Sequence, residues 1–485
     1  MPKMVLALYD CRSKQEYIYR TNRIREISGG SALLAGVYES FIDKAQENGI
    51  SFMNGGKWEE LIFNVKSFES SDCKAEVVYI GGGNLMVLYK DIEDYKNANR
   101  LFSRMLLDNT FTITAIAAST PYTGDFKADR KALYAKNALN KSTGYISVPC
   151  SVLPFTQVDN ITYMPIVEKN KYKQESLSRE SVCKYTAYDK YAKTKMEHNK
   201  DIEKIQLDEI VTEKGRESLL AIIYIDGNNM GSKLMNELGN DTDYDICINK
   251  LRQFSVKTNS NFVVEPIKAI EQLLLSKIGT KQEKYAKYRK IIAGGDEITL
   301  ICNARMVPEI LNVYFNTLDS KNSGNYACAG VAIFHSHAPF ADVYEITEQC
   351  CESGKKQSRK FESKANFIDF HFCRFGITND METVREEQEI GLTARPYRID
   401  DEREGYSFGK FIDFANRLKE IKRSNIKELA SAMIKGESYY RFEIARINSR
   451  YKSQKLDGKD EKTKRMIFDI AQVYDLWFVG EEEDK

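Results

Sequence analysis

Ile291-Ile292-Ala293-Gly294-Gly295-Asp296-Glu297-Ile298-Thr299-Leu300-Ile301 is the stretch that decides the fold. Two apolar runs flank a Gly-Gly pair, which reads as strand, tight turn, strand. The turn also carries two adjacent acids. An earlier stretch repeats the plan: Val77-Val78-Tyr79-Ile80-Gly81-Gly82-Gly83-Asn84-Leu85-Met86-Val87-Leu88-Tyr89. Some 70 residues before each hairpin, an apolar run closes on an aspartate. Val5–Tyr9 ends in Asp10, and Ala221–Ile225 ends in Asp226.

The two units superpose by order and spacing. Asp10 matches Asp226, Gly81-Gly82 matches Gly294-Gly295, and Gly83-Asn84 stands where Asp296-Glu297 stands. A polar helical segment follows each hairpin, Asp91–Met105 and Ala304–Leu318. Each then leads to an apolar run, Phe111–Ala118 and Tyr326–Phe334. Each half therefore reads as strand, helices, hairpin, helix, strand, an α+β unit with an antiparallel sheet.

The rest of the chain bounds the answer. Its 485 residues allow several domains. Mean hydropathy is −0.47, and no apolar run approaches the roughly 18 residues of a membrane span. The opening Met1-Pro2-Lys3 lacks a signal-peptide pattern, so a cytoplasmic location is expected. A net charge of +1 argues against wholesale coating of a nucleic acid. Ten cysteines contain no CxxC pair, so free thiols are expected rather than disulfides or structural zinc. Between the repeats lies a lysine-rich, weakly periodic insert. Phe408–Ile421, Ser424–Lys435, Glu437–Lys452 and Met466–Phe478 read as amphipathic helices. Ser453–Arg465 reads as a polar loop, and Glu481–Lys485 as an acidic tail.

The chemistry sits in the second unit. Asp226 ends a strand, Asp296 and Glu297 occupy the neighbouring turn, and adjacent strands lie about 4.8 Å apart. The carboxylates can converge. Hard oxygen ligands of this kind hold Mg²⁺, which keeps waters and bridges phosphates. Two ions about 4 Å apart would activate a 3′-hydroxyl and stabilise leaving pyrophosphate. Gly294 and Gly295 would admit a phosphate close to the backbone. Singly, each feature is more often structural, an exposed acidic turn or a capping aspartate. The ordered set on a repeated framework favours a site.

At these residues the sequence resembles a known family. "IIYIDGNNMG" followed by "IIAGGDEITLI" looks like the palm domain of GGDEF-type cyclases and of the large palm subunit of type III CRISPR effector complexes. "LYDCRSKQEYIYRTNRIREISGGSALLAG" is similar to the start of that subunit's first palm. Asn366-Phe367-Ile368-Asp369-Phe370-His371 and "LTARPY" at Leu392–Tyr397 fit as well.

The resemblance implies two ferredoxin-like palms, an inserted subdomain and a helical C-terminal domain. The expected boundaries are 1–125, 126–215, 216–397 and 398–485. It implies conversion of ATP into a cyclic oligoadenylate-type messenger in antiphage defence, with Mg²⁺ or Mn²⁺ as cofactor. Catalytic acids fall on Asp226, Asp296 and Glu297, and metal contacts on these and Gly227. Nucleotide contacts fall on Gly294, Gly295, Asn229, Lys355 and Lys356 in the second palm. In the first they fall on Asp10, Ser13, Gly29, Gly30, Ser31, Gly81 and Gly82. Gly29-Gly30-Ser31 is read as a helix start whose free backbone donors and serine oxygen would meet phosphate. Two ATP molecules are expected at the palm–palm junction, with guide RNA or other effector subunits as partners and no membrane. The family commonly has Asp where Glu297 stands, and often another Asp at the place of Asn228. Its nuclease domain and its zinc-binding cysteines are expected to be absent. Two rival readings remain open: a catalytically quiet nucleotide- or RNA-binding scaffold, and a cyclic dinucleotide synthase using other nucleotides.

Overall fold

The computed structural model describes residues 4–478 except 60, 144–152, 170–174, 197–198, 205, 213–217, 319, 374–379, 401–405 and 453–454. The acidic tail at Glu481–Lys485 lies outside the described residues. The chain is mixed α+β, with three sheets and C-terminal helices. It divides into two compact units. The first comprises Met1–Asn199, Asn229–Val263 and Gly294–Asp296, and the second Lys200–Asn228, Val264–Ala293 and Glu297–Lys485.

The first unit is built on β1 (Val5–Arg12), β2 (Ala75–Gly81), β3 (Asn84–Tyr89) and β4 (Thr114–Pro121). They form an antiparallel sheet in the order β2-β3-β1-β4. In β1, Leu6, Ala7, Leu8 and Tyr9 are all fully buried. A central strand covered on both faces reads as one apolar run rather than an alternation. The helices α1 (Lys14–Tyr19), α2 (Ile24–Ala35), α3 (Ile92–Thr110), α4 (Phe126–Thr143) and α5 (Arg179–Ala187) belong to this unit. Asp91 caps α3 by accepting from the Glu93 and Asp94 amides, as an N-cap aspartate should. Although the sequence reading gave Phe126–Thr143 to the insert, α4 packs along β4 and β1. A two-stranded sheet, β5 (Ile166–Lys169) with β6 (Ser176–Ser178), completes the insert.

Two further helices of the first unit come from beyond the insert, α6 (Met230–Leu238) and α7 (Tyr244–Asn259). Tyr244, Cys247, Ile248 and Leu251 join the core that holds Leu85, Val87 and Phe102. Arg252 clamps α7 to β2. It donates to the carbonyls of Leu61 at 2.8 Å, Val77 at 2.5 Å and Val78 at 2.9 Å, and to the Glu76 carboxylate at 3.2 Å.

The second unit carries β7 (Leu219–Gly227), β8 (Tyr288–Gly294), β9 (Glu297–Asn303), β10 (Ala327–His335), β11 (Phe367–Phe372) and β12 (Tyr397–Arg398). Their order is β12-β11-β10-β7-β9-β8. Four consecutive strands, β10-β7-β9-β8, repeat the order of the first sheet out to the β8 edge, and β11 adds in parallel to β10 on the other side. The helices are α8 (Glu265–Ser276), α9 (Val307–Leu318) and α10 (Phe340–Arg359), then α11 (Phe408–Arg417), α12 (Arg423–Lys435), α13 (Glu437–Arg450) and α14 (Glu461–Trp477). The expected loop at Ser453–Arg465 gives way to α14 at Glu461, because Asp460 caps the helix there.

The family-like segments at 366–371 and 392–397 serve this unit's interior. Asp369 is fully buried and held in a fork by Arg385 at 2.6 and 2.9 Å. Burial alone would raise its pKa, but the guanidinium more than compensates and holds it low. Asp469 of α14 accepts from Thr393, the Ala394 amide and Tyr397, and pairs with Arg395 at 3.1 Å. These buried charges fasten α14 to the sheet edge. The nine cysteines among the described residues are all free thiols, as expected.

Candidate functional site

The hairpin of the second repeat turns on Gly295-Asp296. Gly295 has a φ of 66° while Asp296 keeps a negative φ, the pattern of a turn with glycine in its first central place. In the first repeat Gly82 and Gly83 both have positive φ, 55° and 70°, so both central places need glycine. The two hairpins are thus equivalent in length and differ in turn type.

In the second unit, Asp226 and Glu297 are direct cross-strand partners on β7 and β9. Partners in an antiparallel ladder share a face, so their carboxylates project together. Lys355, on α10, forms an ion pair with Asp226. Lys356 points elsewhere and lines a cleft of about 570 Å³ with Glu352, Lys360, Glu382 and Arg385. One helical step separates the two lysines that the sequence placed together. Asn228 is buried and structural: its amide nitrogen donates to Ser358 Oγ and the Ala365 carbonyl, both at 3.0 Å. Asn229 adopts the left-handed conformation, φ 57°, at the head of α6. Lys233 on α6 has its pKa lowered by burial, with Asp296 pulling the other way.

In the first unit the strand-end aspartate is surrounded by cations. Asp10 is 2% exposed and accepts from the Cys11 amide at 2.7 Å, from Lys14 at 2.8 Å and from Lys141. Lys14 also donates to the Gly83 carbonyl, which accepts from Tyr38 at 2.5 Å as well. Ser13 is left-handed, φ 55°, at the head of α1, as Asn229 is at the head of α6. Lys14, Tyr38, Lys141 and Lys233 were missed from sequence. One signal existed for Lys141: it follows Phe126 by fifteen residues, as Lys355 follows Phe340. Both lysines lie on the helix after the last strand of their sheet's shared core, and both pair with the strand-end aspartate.

The expected helix start at Gly29-Gly30-Ser31 is corrected. These residues lie inside α2, which begins at Ile24, so their amides face intrahelical carbonyls and are not a free phosphate cradle. Gly29 instead lets α5 approach, since a Cβ there would overlap the Lys184 carbonyl. Gly81, with Gly82, closes the first hairpin.

Among the described residues no group of three or more His, Cys, Asp or Glu side chains gathers in metal-holding geometry. The donor set Asp226 with Glu297 still suits Mg²⁺ or Mn²⁺, hard ions that take one or two carboxylates and complete their shell with water and phosphate. No helix of the described residues is long and apolar enough to cross a membrane.

No protein-family model and no curated protein matches the sequence. Solved structures do. A Csm1–Csm4 cassette in complex with cA4 matches with a TM-score of 0.54 at 12% identity, covering 97% of this chain and 70% of that chain. The fold is Csm1-like. The apo Csm1–Csm4 cassette agrees, with a TM-score of 0.51 at 12% identity and the same coverage. A Csm1–Csm4 cassette in complex with AMPPNP gives a TM-score of 0.46 at 12% identity over 76% of this chain. There the match spans 54% of that chain, little more than half its length. At these identities the Csm1 likeness is one of fold.

Proposed function

We propose that the protein is a metal-dependent nucleotidyl cyclase with two ferredoxin-like palms, which joins ATP into a cyclic oligoadenylate-type product. The observation that carries this reading is the duplication itself. Two sheets share one strand order, and only the second carries an acid, Glu297, opposite its strand-end aspartate. The Csm1-like fold supports it.

Asp226, Asp296 and Glu297 would hold Mg²⁺ or Mn²⁺, which when bound supplies Lewis acidity to a 3′-hydroxyl and to the phosphates. The 3′-hydroxyl of one nucleotide gives up its proton to solvent, and its oxygen attacks the α-phosphorus of the next. The α–β phosphoanhydride bond breaks, and pyrophosphate leaves. Lys355, paired with Asp226 in the free chain, would leave it for the triphosphate and take up charge that the leaving group develops. Gly294, where a Cβ would meet nothing within 4 Å, and Gly295 would admit a phosphate oxygen close to the turn. Purified protein given ATP and Mn²⁺ should release pyrophosphate and yield a cyclic product by mass spectrometry. Glu297→Gln should lower the rate at least about 100-fold. Equal rates for wild type and variant would remove this reading.

A second reading, a nucleotide- or RNA-binding scaffold of a CRISPR-type ribonucleoprotein, is favoured by one observation: Lys355 already neutralises Asp226. ATP binding without turnover, with co-purifying RNA or subunits, would select it. Products from mixed nucleotides would reveal a cyclic dinucleotide synthase.

A further inference from the structure

The two strand ends differ by a cation that the chain itself supplies. Asp10-Cys11-Arg12-Ser13-Lys14 and Asp226-Gly227-Asn228-Asn229-Met230 occupy equivalent positions, each passing through a left-handed residue into a helix. Lys14 therefore stands where the second copy has Met230. Its ammonium bridges the Asp10 carboxylate and the Gly83 carbonyl, two hard oxygens of the kind a divalent ion seeks. Tyr38 donates to the same Gly83 oxygen.

Gly83 is what makes room. A Cβ at that position would lie 2.6 Å from Lys14 Nζ, and its φ of 70° disfavours any side chain. The equivalent Asp296 has the negative φ that a side chain tolerates. The lysine and the acidic turn are thus alternative solutions on one framework. Across the equivalent positions, Lys14 and Lys141 outnumber Asp10. In the second copy the acids Asp226, Asp296 and Glu297 outnumber the lysines Lys355 and Lys233.

We propose that Lys14 is the resident cation of the first hairpin: its ammonium takes the place that a divalent ion takes at the second, so the chain holds metal at one of two equivalent strand ends. Only the second-site half of this statement rests on the cyclase reading.

The test counts Mn²⁺ bound to the full chain by electron paramagnetic resonance, without nucleotide. Asp10→Asn should leave the count unchanged, because Lys14 and not a metal occupies that site. Lys14→Met with Asn84→Glu installs the second copy's residues and leaves Gly83 in place. It should gain one equivalent of Mn²⁺, and adding Asp10→Asn should remove it. Lys14→Arg should gain none. A lower count in Asp10→Asn overturns the proposal, and so does a folded double variant that gains nothing. If the double variant does not fold, the Asp10→Asn count decides alone. Glu297→Gln lowers the wild-type count if the cyclase site is assigned correctly, a result independent of the first hairpin.

Discussion

Replacing Arg252 by methionine removes a buried guanidinium that bonds four acceptors in the first unit. The guanidinium is 3% exposed, faces Glu76 at 4% exposure, and is the donor to three backbone carbonyls. Removing one member of a buried ion pair costs about 3–5 kcal/mol, because the remaining charge stays desolvated. For a unit of this size about 4 kcal/mol corresponds to a fall in melting temperature of roughly 8–16 °C. Burial already raises the Glu76 pKa while Arg252 opposes it, so without the arginine the carboxyl rises further. The deficit should therefore shrink as pH falls and Glu76 protonates, and Glu76→Gln in the same chain should restore part of the loss. The chain has two tryptophans, Trp58 in the first unit and Trp477 in the second. In a Trp477→Phe background, fluorescence follows Trp58, which is buried. A Trp58 transition shifted by less than about 1 kcal/mol would refute the account of Arg252 as a desolvated clamp.

Three other outcomes are expected. Lys355→Gln should tighten Mn²⁺ binding about two- to five-fold, the release of a partly exposed ion pair, while weakening ATP. Isothermal titration of each ligand separates the two effects, and looser Mn²⁺ binding would contradict the placement. His371 has its pKa lowered to about 4 by burial and by Arg395 and Arg385. The unfolded chain takes up this proton near pH 6.5 and the folded chain does not, so stability should fall between about pH 6.5 and 4, by up to about 3 kcal/mol. Urea midpoints followed through Trp477 should show this fall, and His371→Gln should flatten it. Gly29→Ala should destabilise by about 1–3 kcal/mol, because the new methyl overlaps the Lys184 carbonyl. Gly30→Ala, whose nearest neighbours would be 3.5 Å away, should be neutral or stabilising by up to about 1 kcal/mol in thermal melts.

Both hairpins were legible because two-residue glycine turns between apolar runs leave few alternatives. β1 to β4 and the core of the second sheet follow the repeat read from Asp10 and Asp226. The C-terminal helices were legible from apolar spacing, with α12 and α13 starting within a residue of expectation. Gly29-Gly30 misled because a Gly-Gly-Ser run resembles a helix start, whereas the true start, after Arg23, has no capping side chain. Lys141 was hidden because the repeat was not carried past β4 into the lysine-rich stretch. The place of α7 was not read from sequence: even where apolar spacing marks a helix face as covered, it does not say by what, and Tyr244, Ile248 and Leu251 lie far along the chain from the core they join. Asn228 looked like a weakened ligand; only tertiary structure reveals the Ser358 and Ala365 partners that fix it inside.

The core membership of α7 has a consequence for synthesis. The first unit lacks Tyr244, Ile248 and Leu251 until the chain has been made well past the insert. After α4 ends at Thr143, more than a hundred further residues must emerge before α7 is complete at Asn259. At ribosomal speeds of about 5–20 residues per second, this is a wait of roughly 6–23 s. Through that interval Val77 and Val78 await the helix that clamps them, and Glu76 awaits its arginine. The repeat is a unit of sequence, but the ribosome cannot deliver it as a finished unit of structure.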